Sequence, residues 1–189
     1  VLLGTRAPDI GFCNIATGFV MSGYFVGVFF GSIMVPSILA AVGHVRVFGA
    51  MSAIASATVL IHIAFGHPIL WALMRLASGF GFAGMYIVCE SWLNDKATND
   101  TRGQLLSFYM IINIGGMGLG QLMIGLGESG GVGLFLMTSV MVSIAVVPIL
   151  ITVNAAPNFE APDRLGFQRL IQVSPLSVVG MAVTGLIIS

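Results

Sequence analysis

The sequence predicts an all-α membrane protein built as a multi-span helical bundle. Only 7% of its 189 residues are charged and 57% are hydrophobic, whereas a soluble domain carries roughly 25% charged residues. So few charges cannot cover a water-facing surface at this length. Five apolar runs are also long enough, at about 20 residues each, to cross a hydrocarbon core as helices.

The apolar runs divide the chain into complete and partial spans. The predicted complete spans cover residues 15–39, 47–65, 69–93, 105–126 and 134–153. The stub 1–4 is interpreted as the tail of an earlier helix, and the run 174–189 as the start of a later helix that is cut short. We therefore expect a transmembrane bundle over residues 1–155, joined by a polar connector over 156–173 to the truncated helix.

Basic residues in the loops predict the orientation of the spans. One side of the membrane receives Arg46, Lys96, Arg102, Arg164 and Arg169. The other side receives only Arg6. Because cytoplasmic loops carry an excess of Lys and Arg, the first set is assigned to the cytoplasm. The connector 156–173 is then cytoplasmic, and we expect a multi-pass protein of the plasma membrane, which is the inner membrane of a bacterium.

The hexapeptide Gly79–Gly84 has the pattern G-x-G-x-x-G of a dinucleotide-binding turn. That turn needs a strand before it and a βαβ unit around it. Here the hexapeptide lies inside one apolar run whose only charge is Arg75, so we interpret it as part of a membrane helix. At about 100° per residue, Gly81 and Gly84 fall on the face opposite Arg75.

Glycines at helical spacing predict close helix packing. The first complete span carries three glycines four residues apart, and the fourth carries a similar pair. Small residues at this spacing let membrane helices approach closely. The predicted packing residues are Gly23, Gly27, Gly31, Gly81, Gly84, Gly116 and Gly120.

Arg75 lies at membrane depth within a predicted span. It is about 10 Å from the outer end of its helix, where an Arg costs at least about 2.5 kcal/mol on insertion scales. Two interpretations stay open for it. Arg75 contacts a substrate or a proton relay in a wet cavity, or it is a structural residue that snorkels outward or caps backbone carbonyls.

Three further polar residues within the spans are candidates for the same cavity. Tyr86 shares its helical face with Arg75. Asn113 lies near the middle of the fourth complete span, and Gln121 follows on the same helix. A mid-membrane amide either hydrogen-bonds a neighbouring helix or lines a cavity. The substrate-cavity or relay candidates are therefore Arg75, Tyr86, Asn113 and Gln121.

The sequence gives little support for nucleic-acid binding, metal binding or catalysis. Seven basic residues balance seven acidic ones, so no electrostatic case for nucleic acid exists. Cys13 and Cys89 form no CxxC pair and the three histidines share no ligand-like spacing, so neither a metal nor a cofactor is expected. His62 is interpreted as a packed or interfacial residue rather than a proton carrier. No catalytic motif appears, so the chain is predicted not to be an enzyme.

Two stretches carry motifs of a known family. Residues 75–84 begin with the spacing R-x-x-x-G-x-G, and residues 90–95 read Glu-Ser-Trp-Leu-Asn-Asp, followed by Thr-Arg-Gly at 101–103. The first stretch resembles the fourth-helix motif of the major facilitator superfamily of secondary transporters. The second is similar to the loop between helices four and five in its YcaD-type branch. The resemblance runs along the whole chain.

The loop after the first complete span departs from the family pattern G-x-x-x-D-R-x-G-R-R. Gly43 fits that pattern, and Arg46 lies just past the expected basic pair. Ala40 stands where the family has an acidic gating residue. We expect Glu90, Arg102 and Arg46 to form a substitute gate on the cytoplasmic side.

The resemblance implies a twelve-helix protein of two six-helix halves, which binds substrate near the midplane and works by alternating access. This chain would supply the tail of helix one, helices two to six and the start of helix seven. The implied function is secondary active or facilitated transport of a small organic solute, with proton coupling as one option. The expected partners are that solute, the lipid bilayer and the C-terminal half of the same chain. A non-transporting scaffold or sensor that keeps the fold is the alternative.

Overall fold

The computed structural model describes residues 2–126 and 132–151, and most of them are helical. Within these residues the helices are α1 (Leu2–Asp9), α2 (Asn14–Val42), α3 (His44–Ala64), α4 (Pro68–Lys96), α5 (Arg102–Leu126) and α6 (Val132–Ile151). All but α1 are long and apolar enough to cross a membrane. The predicted all-α, multi-span bundle is therefore confirmed. The predicted connector 156–173 and the helix predicted at 174–189 lie outside the described residues.

The long helices match the predicted spans, with ends that differ by a few residues. The larger difference concerns α1, which continues past the predicted stub to Asp9. The apolar run ends at Gly4 because polar residues follow it, so the sequence predicts that the helix ends there. In the structure the backbone continues as a helix to Asp9. The N–H of Ile10 donates to the carbonyl of Arg6 at 3.3 Å. Arg6 therefore lies on a helix and not in a loop.

α4 is the central helix of the described bundle. It packs along α2 on one side and along α3 on another, and α3 also packs along α6. α1 contacts α2, whereas α5 touches the other described helices mainly at α4. Because α4 has two closely packed neighbours, its sequence must provide two surfaces that let another backbone approach.

The contact between α2 and α4 leaves no room for a side chain at its centre. A Cβ atom on Gly27 of α2 would overlap the Leu76 carbonyl of α4. A Cβ atom on Gly79 of α4 would overlap the Tyr24 carbonyl of α2. Each helix therefore offers a glycine to the backbone of the other, and we call this contact the α2–α4 seam.

Two more glycines of α2 extend the α2–α4 seam in both directions. A Cβ atom on Gly23 would lie 2.8 Å from the Ala72 carbonyl oxygen. One on Gly31 would lie 2.9 Å from the Cβ atom of Ala83. Distances below about 3 Å are too short for a carbon contact, so the seam runs along two turns of α2 with glycine at each crossing point.

A second seam joins α4 to α3 through the other glycines of the hexapeptide. A Cβ atom on Gly81 would lie 2.9 Å from the Met51 carbonyl oxygen, and one on Gly84 would lie 2.5 Å from the Met51 Cγ atom. The three glycines of the G-x-G-x-x-G pattern are thus divided between two neighbours. Gly79 faces α2, whereas Gly81 and Gly84 face α3.

The glycines of α5 have no such neighbours among the described residues. A Cβ atom on Gly116 or Gly120 would meet nothing within 4 Å. Much of α5 is exposed in the described part of the bundle. The packing role of these two glycines stays a prediction.

Two apolar clusters lie toward opposite ends of the long helices. The first contains Val35, Leu39, Val47, Phe48, Met51, Val88 and Val146. The second contains Ala7, Val20 and Trp71. Buried polar residues of α3 and α4, including Thr58, His62 and Ser78, fall between or beside these clusters along their helices. The bundle therefore encloses polar groups between its apolar ends.

Serine side chains join α3 to α6. The hydroxyl of Ser56 lies 2.7 Å from that of Ser139 and 3.0 Å from that of Ser143. Hydrogen bonds between membrane helices contribute about 0.6 kcal/mol on average. This serine cluster therefore specifies the register of α6 on α3 more than it stabilises the bundle.

A single residue, Gly43, connects α2 to α3. Its φ is 83°, a left-handed conformation that glycine adopts without the steric cost of a Cβ atom. The Gly43 N–H donates to the Leu39 carbonyl at 2.9 Å and closes the last turn of α2. The backbone conformation therefore explains why glycine stands at residue 43, the position of this loop that matches the family pattern.

We predict that Gly27→Ala destabilises the bundle while Gly18→Ala does not. The added methyl group overlaps the α4 backbone at residue 27, and overpacking of this kind costs about 1–3 kcal/mol. At residue 18, on the same helix, a Cβ atom meets nothing within 4 Å. Thermal unfolding in detergent should show a lower Tm for Gly27→Ala alone. Equal Tm values for the two variants would contradict the α2–α4 seam.

Candidate functional site

Five helices surround a cavity of about 160 Å³ in the described bundle. Its lining residues are Leu3, Met21, Thr58, Val59, His62, Arg75, Ser78, Phe82, Phe135 and Thr138. They come from α1, α2, α3, α4 and α6. Arg75 and His62 each lie within about three turns of the helix end that faces the predicted outer side, so the cavity lies in that half of the bundle. We call it the Arg75 cavity.

The guanidinium of Arg75 is held against an aromatic ring. Its Cζ atom lies 4.6 Å from the centroid of the Tyr24 ring, in cation–π geometry. The α2–α4 seam sets this contact, because Gly79, one turn beyond Arg75, lies against the Tyr24 carbonyl. The Arg75 Nε atom is buried and has no hydrogen-bond partner within the described part of the chain. Arg75 thus has an aromatic neighbour but an unsatisfied donor.

His62 lines the same cavity and is 3% exposed. Its Nδ1 atom lies 2.5 Å from the Thr58 carbonyl oxygen. Since a carbonyl only accepts, Nδ1 carries the hydrogen, and in the neutral ring Nε2 holds a lone pair. Nε2 is buried and makes no hydrogen bond with any described residue. His62 therefore offers an unpaired ring nitrogen beside the Arg75 cavity.

Trp71 fixes the position of the His62 ring. The two rings meet edge to face with centroids 5.3 Å apart. Trp71 is fully buried, and its indole N–H donates to the Phe65 carbonyl at 2.7 Å. Phe12 packs on the indole at 5.1 Å. The histidine thus rests on a rigid aromatic group whose own polar atom is satisfied.

Three hydroxyl groups in the lining donate their hydrogens to backbone carbonyls of their own helices. Thr58 donates to the Ala55 carbonyl at 2.8 Å and Ser78 donates to the Arg75 carbonyl at 2.9 Å. Thr138 of α6 donates to the carbonyl one turn before it, also at 2.8 Å. These oxygens can therefore only accept hydrogen bonds from a molecule in the cavity, and Arg75 is the principal donor.

Among the described residues, the lining of the Arg75 cavity contains no carboxylate. The acidic residues in the described part of the chain are Asp9, Glu90, Asp95 and Asp100, and all four are exposed. A second guanidinium is nearby, because Arg6 of α1 lies 5.3 Å over the ring of Phe135, a lining residue. The cavity is therefore electropositive.

Tyr86 and Asn113, two of the predicted cavity residues, lie outside the Arg75 cavity but close to a row of tyrosines. Tyr86 interacts electrostatically with Tyr24 and with Tyr109 of α5. Asn113 donates to the Tyr109 carbonyl on its own helix at 3.1 Å. Within the described residues the Tyr109 hydroxyl is buried without a partner. Their role as cavity or relay residues stays a prediction.

Gln121 lies in a separate apolar groove between α5 and α6. The groove measures about 550 Å³ and includes Gly116, Gly120 and several methionines in its lining. Thr138 lines both this groove and the Arg75 cavity. The structure thus distributes the four predicted cavity residues over three places, and it brings Arg75 together with residues that the sequence did not single out.

A side-chain hydrogen bond joins the α2–α3 connection to the end of α4. The His44 Nε2 atom lies 3.1 Å from the Ser91 hydroxyl, and the His44 ring packs on Trp92 at 5.7 Å. His44 is completely buried. The predicted gate residues Glu90, Arg46 and Arg102 are all exposed at this end of the bundle. Their gating role stays a prediction, and His44 is an additional residue that ties the two elements together.

Sequence reasoning did not identify Thr58, Ser78, the contact of Tyr24 with Arg75 or the inward position of His62. A signal existed for three of these residues. Tyr24 follows Gly23 directly at the start of a glycine stripe, where a neighbouring helix must come close. Thr58 and His62 are four residues apart and so share a helical face. Only the packing of α3 on α4 shows that this face looks toward Arg75.

The fold and cavity define a class, a multi-pass helical membrane protein with a buried cationic site. Its curated relatives are MFS-type transporters. One from Enterobacter sp. (strain 638) is 28% identical over 174 residues, which is 90% of this chain and 45% of the relative. YcaD of Escherichia fergusonii is 25% identical over 176 residues and YcaD of Salmonella newport 26% over 174, with the same shares covered. No protein-family model and no solved structure matches the chain.

The chain is therefore similar, along 90% of its length, to MFS-type transporters of the YcaD type. The resemblance carried by residues 75–84 and by the loop after α4 is confirmed. The relatives are named as transporters and not as enzymes, in agreement with the prediction that this chain is not an enzyme. The chain spans about half the length of the curated relatives it matches.

We predict that Tyr24→Leu lowers the stability of the bundle more than Tyr24→Phe. Phenylalanine keeps the ring face beneath the Arg75 guanidinium, whereas leucine removes it, and a desolvated cation–π contact contributes about 2 kcal/mol. The two variants should differ in Tm, measured in detergent. If Arg75→Gln is added, the difference between them should disappear. A difference that persists in the Arg75→Gln background would show that the ring acts through packing alone.

Proposed function

We propose that the chain forms one half of a secondary transporter, which moves a small organic solute across the membrane by alternating access. The observation that carries the proposal is the state of Arg75. Its guanidinium, at membrane depth, has an unsatisfied donor in a cavity whose described lining residues include no acidic group. A charge in such a place is costly unless it is compensated, and a transported solute or its water would compensate it.

The packing of α4 supports a transport cycle by rigid-body motion. Alternating access in such folds comes largely from rocking of one helix bundle against another around a fixed site. The glycine seams hold α2, α4 and α3 backbone to backbone, so these helices are suited to move as one body. The Arg75 cavity lies among the same helices and would keep its geometry during that motion.

The orientation proposed for this half places the Arg75 cavity toward the outer side of a bacterial inner membrane. The basis is the loop charge, since Arg46, Lys96 and Arg102 lie at one end of the described helices and Arg6 lies toward the other. The proposed connector 156–173 would then be cytoplasmic.

We predict that Arg75→Ala strongly lowers the initial rate of transport in proteoliposomes made from the full-length protein. A panel of labelled organic acids, amino acids, sugars and amphipathic amines identifies the solute, and initial rates are then compared. The loss should be about tenfold or more, because the site loses its principal donor to the solute. Arg75→Lys should retain part of the rate, and His67→Gln, in an exposed loop, should retain all of it.

Two results of this assay would contradict the proposal. If folded Arg75→Ala transports at the wild-type rate, the Arg75 cavity is not the solute site. If the protein binds a solute but moves none of the panel, the alternative function of a scaffold or sensor is favoured instead.

The proposed orientation predicts which sulfhydryl groups react from outside. Cys13 is exposed before α2, at the end of the bundle assigned to the outer side. In a Cys89→Ser background, a membrane-impermeant maleimide should label Cys13 in intact spheroplasts. A cysteine introduced as Asp100→Cys, with Cys13 also replaced by serine, should react only after permeabilisation. If Asp100→Cys is labelled in intact spheroplasts and Cys13 only after permeabilisation, the orientation is the opposite of the proposed one.

A further inference from the structure

We infer that the Arg75 cavity binds a small monocarboxylate together with a proton, and that the Nε2 atom of His62 accepts this proton. The inference rests on the proposed transport function and adds to it the class of solute and the coupling ion. Three features carry it: the charge of the cavity, its size and shape, and the hydrogen-bonding state of the His62 ring.

The charge of the cavity selects an anion. Arg75 supplies a cation with a buried donor that has no partner in the described part of the chain, where no lining residue is acidic. A guanidinium presents its N–H groups as a planar fork that matches the two oxygens of a carboxylate. The hydroxyl oxygens of Thr58, Ser78 and Thr138 offer only lone pairs, because their hydrogens are donated to their own helices. Arg75 is therefore the group that would hold the carboxylate.

The size and walls of the cavity limit the rest of the solute. A volume of about 160 Å³ is smaller than the roughly 300–1,000 Å³ of pockets that hold drug-sized ligands, so it suits a small acid. The side chains of Leu3, Met21, Val59, Phe82 and Phe135 form apolar walls. These walls favour a short hydrocarbon chain over a second charged group.

The His62 ring is prepared to accept a proton. Nδ1 donates its hydrogen to the Thr58 carbonyl, so the neutral ring has its lone pair on Nε2, which is buried and makes no hydrogen bond with any described residue. A proton on Nε2 would come from the acid or from hydronium. One O–H bond breaks, one N–H bond forms, and no electrons are transferred.

The charged groups around His62 make the proton and the anion bind together. Arg75 of α4 interacts electrostatically with His62, and Arg6 of α1 lies over Phe135 of the lining. The lining residues of α2 and α6 carry no charge. A protonated His62 is repelled by these cations until a carboxylate enters between them. Each ligand thus favours the other, and by linkage this coupling is reciprocal.

The test is calorimetric titration of the purified full-length protein with sodium propanoate near pH 6. Two buffers of different ionisation enthalpy give the number of protons taken up on binding. We expect close to one proton per propanoate, because only one ring nitrogen changes its state. Propanamide, which has a similar shape and no charge, should not bind. If propanamide binds as well as propanoate, or if propanoate does not bind, the inference is wrong.

Three variants separate the roles of the two residues. His62→Gln should remove the proton uptake while keeping measurable propanoate binding, and Arg75→Gln should weaken binding by about tenfold or more. The control His67→Gln changes an exposed histidine of the α3–α4 loop and should alter neither quantity. Unchanged proton uptake in His62→Gln would overturn the assignment of Nε2.

A fourth variant keeps the test decisive if His62→Gln fails to fold. Ser78→Asp places a carboxylate beside Arg75 and should compete with the solute, so propanoate binding should be lost. Propanoate binding that survives in folded Ser78→Asp would contradict an anion site at Arg75. Transport assays distinguish this inference from the proposed function. Flux of a different solute with no propanoate binding would refute only the solute class, whereas propanoate binding without any flux would refute only transport.

Discussion

The close approach of α4 to its two neighbours is the constraint on which the rest of the bundle depends. Gly27 and Gly79 allow the backbones of α2 and α4 to touch, while Gly81 and Gly84 do the same for α4 and α3. Without a hydrophobic driving force between helices in lipid, such backbone contact is a main source of association. The same contact brings the Tyr24 ring to Arg75 and the α3 face of His62 to the cavity, so packing and site have one origin.

The Arg75 cavity holds buried polar atoms whose hydrogen-bonding capacity is not satisfied in the described bundle, and this lowers the stability of the bundle. Membrane interiors penalise unpaired polar atoms, yet the Arg75 Nε and His62 Nε2 atoms are both buried without hydrogen-bond partners among the described residues. Nearby polar groups of the bundle are satisfied, including the serine cluster between α3 and α6. The Arg75 Nε and His62 Nε2 atoms both belong to lining residues of one cavity, and two unsatisfied polar atoms at the same cavity indicate a site for a ligand.

Much of the fold could be predicted from the sequence, because hydropathy and loop charge act over whole helices. The five long spans and the division of residues 79–84 between two helical faces are of this kind. The composition of the site could not be predicted to the same degree. His62 looked like a packed residue, since one helix read alone does not show its neighbours. Likewise Gln121 shares a polar character with Arg75 but lies in another groove, and only the three-dimensional packing separates the two.

The central claim is that the Arg75 cavity is electropositive and open to small anions. The most direct measurement uses Ser78→Cys in a background without Cys13 and Cys89, and compares its reaction rates with anionic and cationic methanethiosulfonates of similar size. We expect faster modification by the anionic reagent, with protection by propanoate and loss of the preference in Arg75→Gln. Equal rates, or faster modification by the cationic reagent, would contradict it.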